Sequence, residues 1–270
     1  MKIIKKINQL NKYISNVSNI GFVPTMGGLH NGHLSLINES KKRSDKTLVS
    51  IFINPTQFDK KKDFLNYPRN LKKDLSKLKK KKVDFVFIPT TKEIFDSKRN
   101  RKIVISNKYK ILCGKFRKGH FEGVLDIVER FLKIIHPKFI FFGEKDYQQY
   151  FLINKYFKKK FKTKIILCKT IRDKNKIALS SRNLLLKKNE IEIASLIAKK
   201  LIIYKNAIKK NIKKYKNLIK LKKFLNNKFK IKIDYLEIRD KKKLSKNFSK
   251  YNFKIFIAYH INKIRLIDNF

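Results

Sequence analysis

Tryptophan is absent from this 270-residue chain, cysteine occurs twice, proline five times and glycine eight times. Each shortage excludes something. The two cysteines, Cys113 and Cys168, are far apart and lack metal-type spacing, which excludes a disulfide scaffold and leaves a reduced, cytoplasmic protein as the expectation. No uncharged apolar run reaches the roughly 18 residues of a membrane span, so none is expected. The opening residues MKIIKKINQLNKY interleave lysine with isoleucine and leucine, without the unbroken apolar core of a secretory signal. Neither a Gly-x-x-x-x-Gly-Lys-Ser/Thr loop nor a Gly-x-Gly-x-x-Gly fingerprint is present, so P-loop and dinucleotide readings fail.

Acidic residues are also scarce: 20 Asp and Glu stand against 69 Lys and Arg, for a formal charge of +49. A basic surface can bind nucleic acid by counterion release. However, Lys, Ile, Asn, Phe and Tyr are abundant together, and all have A/T-rich codons. The lysines are not gathered on one helix face or interleaved with aromatics. The charge therefore reads as compositional drift, and no specific nucleic-acid partner is expected.

The same drift makes the remaining special residues easy to weigh. Average usage would give a chain of this length roughly 19 glycines. The eight here are Gly21, Gly27, Gly28, Gly32, Gly114, Gly119, Gly123 and Gly143, with neither glycine nor proline after Gly143. Glycine serves positive φ and close backbone approach, so the first half carries the demanding backbone positions.

Hydrophobic patterning predicts alternating strands and helices. Strands are expected at Ile20–Val23, Thr47–Ile53, Val83–Ile88, Phe139–Phe142 and Lys164–Leu167. Helices are expected from near Gly32 to Arg43, at Asn70–Lys82 with Leu71, Leu75 and Leu78 on one stripe, at Glu122–Ile135 and at Lys145–Phe157. That alternation implies an α/β fold: a Rossmann-like parallel sheet with helices on both faces, over residues 1–175. Residues 176–270 read as a smaller C-terminal α+β domain. It would hold helices at Glu190–Tyr204 and Lys209–Phe229, then strands at Asp234–Ile238, Lys254–Tyr259 and Ile264–Ile267.

Three segments stand at expected strand or turn ends. In His30-Asn31-Gly32-His33, backbone N–H groups at a helix start attract phosphate, and Gly32 allows close approach. The two imidazoles could donate hydrogen bonds as charge builds, or could simply form a capping or core pair. In Gly143-Glu144-Lys145-Asp146-Tyr147-Gln148-Gln149, Lys145 suits polyphosphate and Asp146 suits a ribose hydroxyl or a helix cap. Gln149 could hold a small polar substrate. In Leu179-Ser180-Ser181-Arg182-Asn183, hydroxyls beside a guanidinium suit phosphate, or the serines cap a turn. Asn54-Pro55-Thr56-Gln57-Phe58 offers uncharged amides for a hydroxylated substrate. Tyr67-Pro68-Arg69 and Arg117-Lys118-Gly119-His120-Phe121 carry cations that the sequence alone does not place.

Together with IRDKNKIALSSRN and the closing RLIDN, these segments resemble the pantoate–β-alanine ligase (pantothenate synthetase) family in order over nearly the whole chain. His-x-Gly-His alone would point only to the wider nucleotidyltransferase superfamily shared with class I aminoacyl-tRNA synthetases. The resemblance implies a two-step, AMP-forming ligase of pantothenate biosynthesis. Pantoate carboxylate attacks the α-phosphate of ATP to give a bound pantoyl adenylate, and β-alanine then takes the acyl group. It implies that Met26, Gly27, Gly28, Leu29, His30, Asn31, Gly32 and His33 line the ATP site. Gly143, Glu144, Lys145, Asp146, Ile171, Leu179, Ser180, Ser181 and Arg182 would complete it. His30, His33, Lys145, Ser180 and Arg182 would be catalytic, His33 as the family's proton donor. Gln57 and Gln149 would bind pantoate, with Gln57 also near β-alanine. Mg²⁺ would ride on the ATP phosphates without a protein ligand cluster. The chain would form a homodimer with a Rossmann-type domain and a small lid. Thr56, Glu122 and Gly28 depart from the commonest family pattern, and Glu122 removes a possible cation.

Overall fold

A computed structural model describes residues 1–59, 61–95 and 103–270 of the protein. Its contacts divide the chain into two compact units, Met1–Thr170 and Ile171–Phe270. The division falls at 170/171, before the expected 175/176.

Among the described residues, unit 1 holds a six-stranded parallel sheet. Its strands are β1 (Lys2–Ile4), β2 (Ile20–Thr25), β3 (Lys46–Ile51), β4 (Phe85–Phe87), β5 (Phe139–Gly143) and β6 (Lys164–Cys168). They lie in the order β1-β4-β3-β2-β5-β6. The main helices are α1 (Ile7–Ile14), α2 (Asn31–Arg43), α4 (Leu71–Lys80), α7 (His120–Ile135) and α8 (Tyr147–Phe157), with short α3 (Lys61–Leu65), α5 (Thr91–Phe95) and α6 (Cys113–Phe116) between them.

Side-chain alternation along the strands explains why both faces are covered. Val23, Val49, Val86 and Phe141 pack with Leu36 and Ile37 of α2 and Leu78 of α4 in one core. Phe22 and Phe87, pointing the other way, meet Phe131 of α7 edge-on at 5.4 and 6.3 Å. α7 ends where His136 takes a left-handed conformation, φ 47°, immediately before Pro137, which cannot continue a helix. The expected fold class is present. β1, α1 and the short α3, α5 and α6 were not anticipated, because segments of three to eight residues show little periodicity. The start of α1 is fixed from afar: Glu93 accepts the N–H of Ile7 at 2.7 Å.

One buried face and two element boundaries correct the sequence reading. Leu71 does not join the stripe on α4; it is 44% exposed, and Asp74 takes the buried place at 2%. Lys145 stands in a 3-10 turn, Glu144–Asp146, that precedes α8. In unit 2 the second expected helix splits. α9 (Lys188–Lys210) runs through residue 209, a 3-10 turn covers Ile212–Asn217, and α10 (Leu218–Phe229) follows. Asn211 makes the break, accepting the N–H of Lys213 at 3.0 Å through its side chain, as Asn does where helices start.

Unit 2 packs α9 and α10 against an antiparallel sheet ordered β7 (Lys232–Asp240), β8 (Phe253–Ile261), β9 (Ile264–Asn269). Its own core includes Ile197, Leu201, Leu225, Ile255 and Ile257. A two-residue turn joins β8 to β9, with Asn262 at φ 51°, a conformation asparagine tolerates.

Candidate active site

The strand order reverses at β2. β3 lies on one side of it and β5 on the other, so the crevice at their C-terminal ends is the topological switch point, where open α/β sheets bind ligands. Two of the expected segments converge there.

After β2 the chain turns through Gly27 at φ 80° and Gly28 at φ 62°, a run that side-chain-bearing residues resist. Two residues of α4 hold this turn. Asp74 accepts the N–H of Gly28 and of Leu29, both at 2.8 Å, and Lys77 donates to the carbonyl of Leu29. Thr25 Oγ1 donates to Ser50 O at 2.7 Å, which ties the end of β2 to β3.

α2 then begins in a reciprocal cap. His30 Nδ1 accepts the N–H of Gly32 at 3.1 Å, and His33 Nδ1 accepts the N–H of His30 at 3.3 Å. The ring centroids are 4.0 Å apart. The geometry shows the capping pair that the sequence allowed. An Nδ1 that accepts must be unprotonated, so each neutral ring carries its proton on Nε2, away from the helix backbone. Burial pushes the His30 imidazole down to about 4, with the Lys145 and Lys77 charges adding and Asp146 opposing. Burial, His30, Lys145 and Lys77 hold His33 well below the ordinary imidazole value. The pair thus presents two neutral Nε2–H donors beside a helix N-terminus, an arrangement suited to polyphosphate oxygens.

At the end of β5, Lys145 Nζ pairs with Asp146 Oδ1 at 3.2 Å. Asp146 stands at the N-cap of α8, and its side chain makes no capping hydrogen bond to the helix backbone. Gln148, not Gln149, is the buried amide: it accepts from Cys113 N at 3.1 Å and donates to Ile111 O at 2.8 Å. Gln149 is half-buried on the first turn of α8.

The amide segment after β3 is a built feature. Asn54 Oδ1 accepts from Thr56 N and Oγ1, while its Nδ2 donates to Gly123 O at 3.0 Å. Gln57 is 9% exposed, and its Nε2 points at Met26 Sδ, which brings the amide segment against the glycine turn. The two cation loops that the sequence left unplaced now have roles. His120 Nδ1–H donates to Gln57 O at 2.7 Å, and Arg117 reaches the same carbonyl at 3.2 Å while its Nη1 meets His120 Nε2 at 3.0 Å. Arg69 donates to Phe64 O at 2.7 Å and lies over its ring, and Tyr67 packs edge-on against Phe58.

Ile171, Leu179, Ser180, Ser181 and Arg182 belong to unit 2. There, Leu179 N donates to Ile171 O at 3.0 Å. Ser180 Oγ accepts from Arg182 N at 3.3 Å, and Ser181 is buried. The turn between these ends is set by Asp173 Oδ1, which accepts from Asn175 N and Ile177 N, both at 2.9 Å.

Sequence reasoning missed Asp74, Lys77, Arg117 and His120 as parts of the site's frame. The one available signal was an acidic residue inside a lysine-rich helix of a chain with few acids. Among the described residues no group of three His, Cys, Asp or Glu could hold a metal ion. Both Asp74 oxygens accept backbone N–H groups, and one Asp146 oxygen faces Lys145.

A family model described as pantoate-beta-alanine ligase matches residues 2–270. A pantothenate synthetase of Pseudothermotoga lettingae is 38% identical over 278 residues, covering 100% of this chain and 98% of its own. A crystal structure of the Francisella tularensis pantoate-beta-alanine ligase, complexed with beta-gamma ATP and beta-alanine, aligns at TM-score 0.85. It is 37% identical and covers 100% of this chain and 97% of its own. That of the Thermus thermophilus enzyme aligns at TM-score 0.91 with 27% identity, covering 100% and 99%.

Proposed function

The chain belongs to the pantoate–β-alanine ligase family, and from that premise we propose that it uses ATP to join pantoate to β-alanine, giving pantothenate, AMP and diphosphate. A pantoate carboxylate oxygen attacks the α-phosphorus, the bond to the bridging oxygen breaks, and pyrophosphate leaves with its electron pair. The unprotonated amine of β-alanine then attacks the acyl carbon of the pantoyl adenylate. AMP departs, and the amine proton passes to solvent.

The observation that carries this reading is the uncharged His30–His33 pair at the switch point, with Nδ1 of each ring committed to the backbone. Phosphoryl transfer needs positioning and charge stabilisation more than covalent help. His30 and His33 supply neutral donors to the phosphates, and Lys145 supplies a fixed cation beside them. Met26 to His33 and Gly143 to Asp146 bind ATP from the ends of β2 and β5. By the family resemblance, Ile171 and Leu179 to Arg182 serve the nucleotide too, with Ser180 and Arg182 drawing off the pyrophosphate charge. Gln57 and Gln149 hold pantoate, and Gln57 lies near β-alanine. Mg²⁺ enters with ATP as part of the substrate. The same resemblance supports a homodimer, which light scattering would test, and the use of ATP supports a cytoplasmic location.

The decisive assay follows AMP release from Mg-ATP by the purified protein. Release should require pantoate, and pantothenate should appear only when β-alanine is added. AMP formed equally without pantoate would defeat the reading.

A further inference from the structure

The ligase reading gives α4 no part, yet one turn of that helix is committed to the backbone just ahead of the histidines. Asp74 is 2% exposed, and its two oxygens take consecutive peptide N–H groups, those of Gly28 and Leu29. Lys77 lies three residues on, on the same face of the helix, and takes the Leu29 carbonyl. Both polar groups of Leu29 are therefore fixed by a single helical turn. The very next N–H, that of His30, is the one His33 Nδ1 accepts. A continuous line of hydrogen bonds runs from α4 through Leu29 to the imidazole pair.

The choice of groups is informative. A carboxylate meets each N–H with an oxygen of its own, through shorter and stronger bonds than a neutral acceptor makes. It also fixes the direction of both peptide planes in a glycine turn that would otherwise be free to choose. The ammonium of Lys77 has a second consequence. It acts on both histidines from the α4 side, while Lys145 acts on them from the end of β5.

We propose that Asp74 and Lys77 are positioning residues for the adenylation step, holding peptides 28–30 so that His30 and His33 keep their Nε2–H groups on the polyphosphate. The inference rests on the ligase reading. The charged and titratable groups facing the pair are Lys77 from α4, Lys145 and Asp146 from the β5 end, and each histidine for the other. Removing Lys77 takes away one positive charge and one backbone tie, so the imidazoles should protonate more readily.

The test compares Lys77→Gln, Lys77→Arg and Asp74→Asn with the parent protein in single-turnover AMP release from Mg-ATP and pantoate, across pH. Misplacing catalytic groups from a distance can cost up to about a hundredfold in rate. Lys77→Gln should show that loss with the KM for pantoate nearly unchanged, and its acid limb should move up by a small part of the interval from about 4 toward 6.5, since burial and Lys145 still act on His30. Lys77→Arg, which keeps the charge, should restore the limb. Asp74→Asn, which turns one acceptor into a donor facing an N–H, should lose rate and show faster hydrogen exchange at residues 28–30. An NMR titration of the imidazole Cε1–H signals reads the same shift without any turnover. Lys77→Gln with unchanged rate, limb and titration would overturn the proposal. An equal loss in Lys77→Arg and Lys77→Gln with an unmoved titration would do so too. A parent protein that releases no AMP would instead defeat the ligase reading, and the titration would still decide the part played by Lys77.

Discussion

Arg172 holds Asp268 through two parallel hydrogen bonds, Nη1 to Oδ2 at 2.7 Å and Nη2 to Oδ1 at 2.9 Å. The same guanidinium donates to Asn269 O and Lys176 O and lies 4.4 Å from the Phe270 ring centroid. It thereby pins the turn that leads to Ser180–Arg182 onto the last strand of unit 2. A lysine cannot reproduce the planar fork, and Asp268, 9% exposed at its side chain, would be left with a poorer partner. Arg172→Ala should cost about 2–4 kcal/mol, mostly from stranding that carboxylate, and Arg172→Lys somewhat less. Urea unfolding measures the loss, and hydrogen exchange should quicken at residues 171–179. A cost for Arg172→Ala inside the roughly 0.5 kcal/mol scatter of ordinary surface changes would show that the fork is not a structural tie.

Gly123 is the point where α7 touches the amide segment. A Cβ placed there would lie 2.4 Å from Thr56 O and 2.8 Å from Gln57 N, both backbone atoms, so the turn and not a side chain must yield. Gly123→Ala should therefore displace Gln57 while leaving the sheet intact. The KM for pantoate should rise by about tenfold or more, as misplacement of positioning groups does, with the KM for ATP much less affected. Unchanged pantoate kinetics would mean that Gln57 does not hold this substrate.

How much of this was legible beforehand depended on where the controlling interaction lay. Residues 24–33 stood out because glycine and histidine are scarce and had gathered there. The strands β2, β3 and β5 announced themselves by apolar runs, which a sheet buried on both faces requires. Lys77 was invisible because lysine is this chain's default residue, and Asp74 was hidden in a helix read by its leucines. Arg117 and His120 act on a carbonyl about sixty positions away, and no local pattern encodes such a partner. The same holds for Glu93 at the start of α1. Gln148 and Gln149 adjoin in sequence, and only packing shows which one is consumed by the backbone of residues 109–113.

Chelation separates a substrate-borne metal from a structural one. With no three-ligand cluster among the described residues, removing divalent cations should stop pantoate-dependent AMP release and leave thermal unfolding where it was. A ligand bound only by the native state raises its stability in proportion to RT ln(1 + [L]/Kd). A clear drop in the melting temperature on adding EDTA, with no nucleotide present, would reveal a resident metal site and contradict this account.

The histidine pair makes the pH dependence of stability specific. His30 falls to about 4 in the fold from an ordinary value of 6.5, first because of burial and then because of Lys145. Protonation at Nδ1 would also forfeit the cap to Gly32 N. Between those two values the unfolded chain binds more protons than the native one, so stability rises with pH across the window and falls as the medium is acidified through it. Below about 4 the native imidazole protonates as well, and this group adds no further slope. His30→Gln removes the titration, so the variant should lose less stability than the parent between pH 6.5 and pH 4. Urea midpoints at several pH values measure the difference, and coincident slopes would mean that His30 is not held neutral. Catalysis carries the same signature: the acid limb of adenylation assigned to this pair should fall near 4 and not near 6.5, because the site works with uncharged rings.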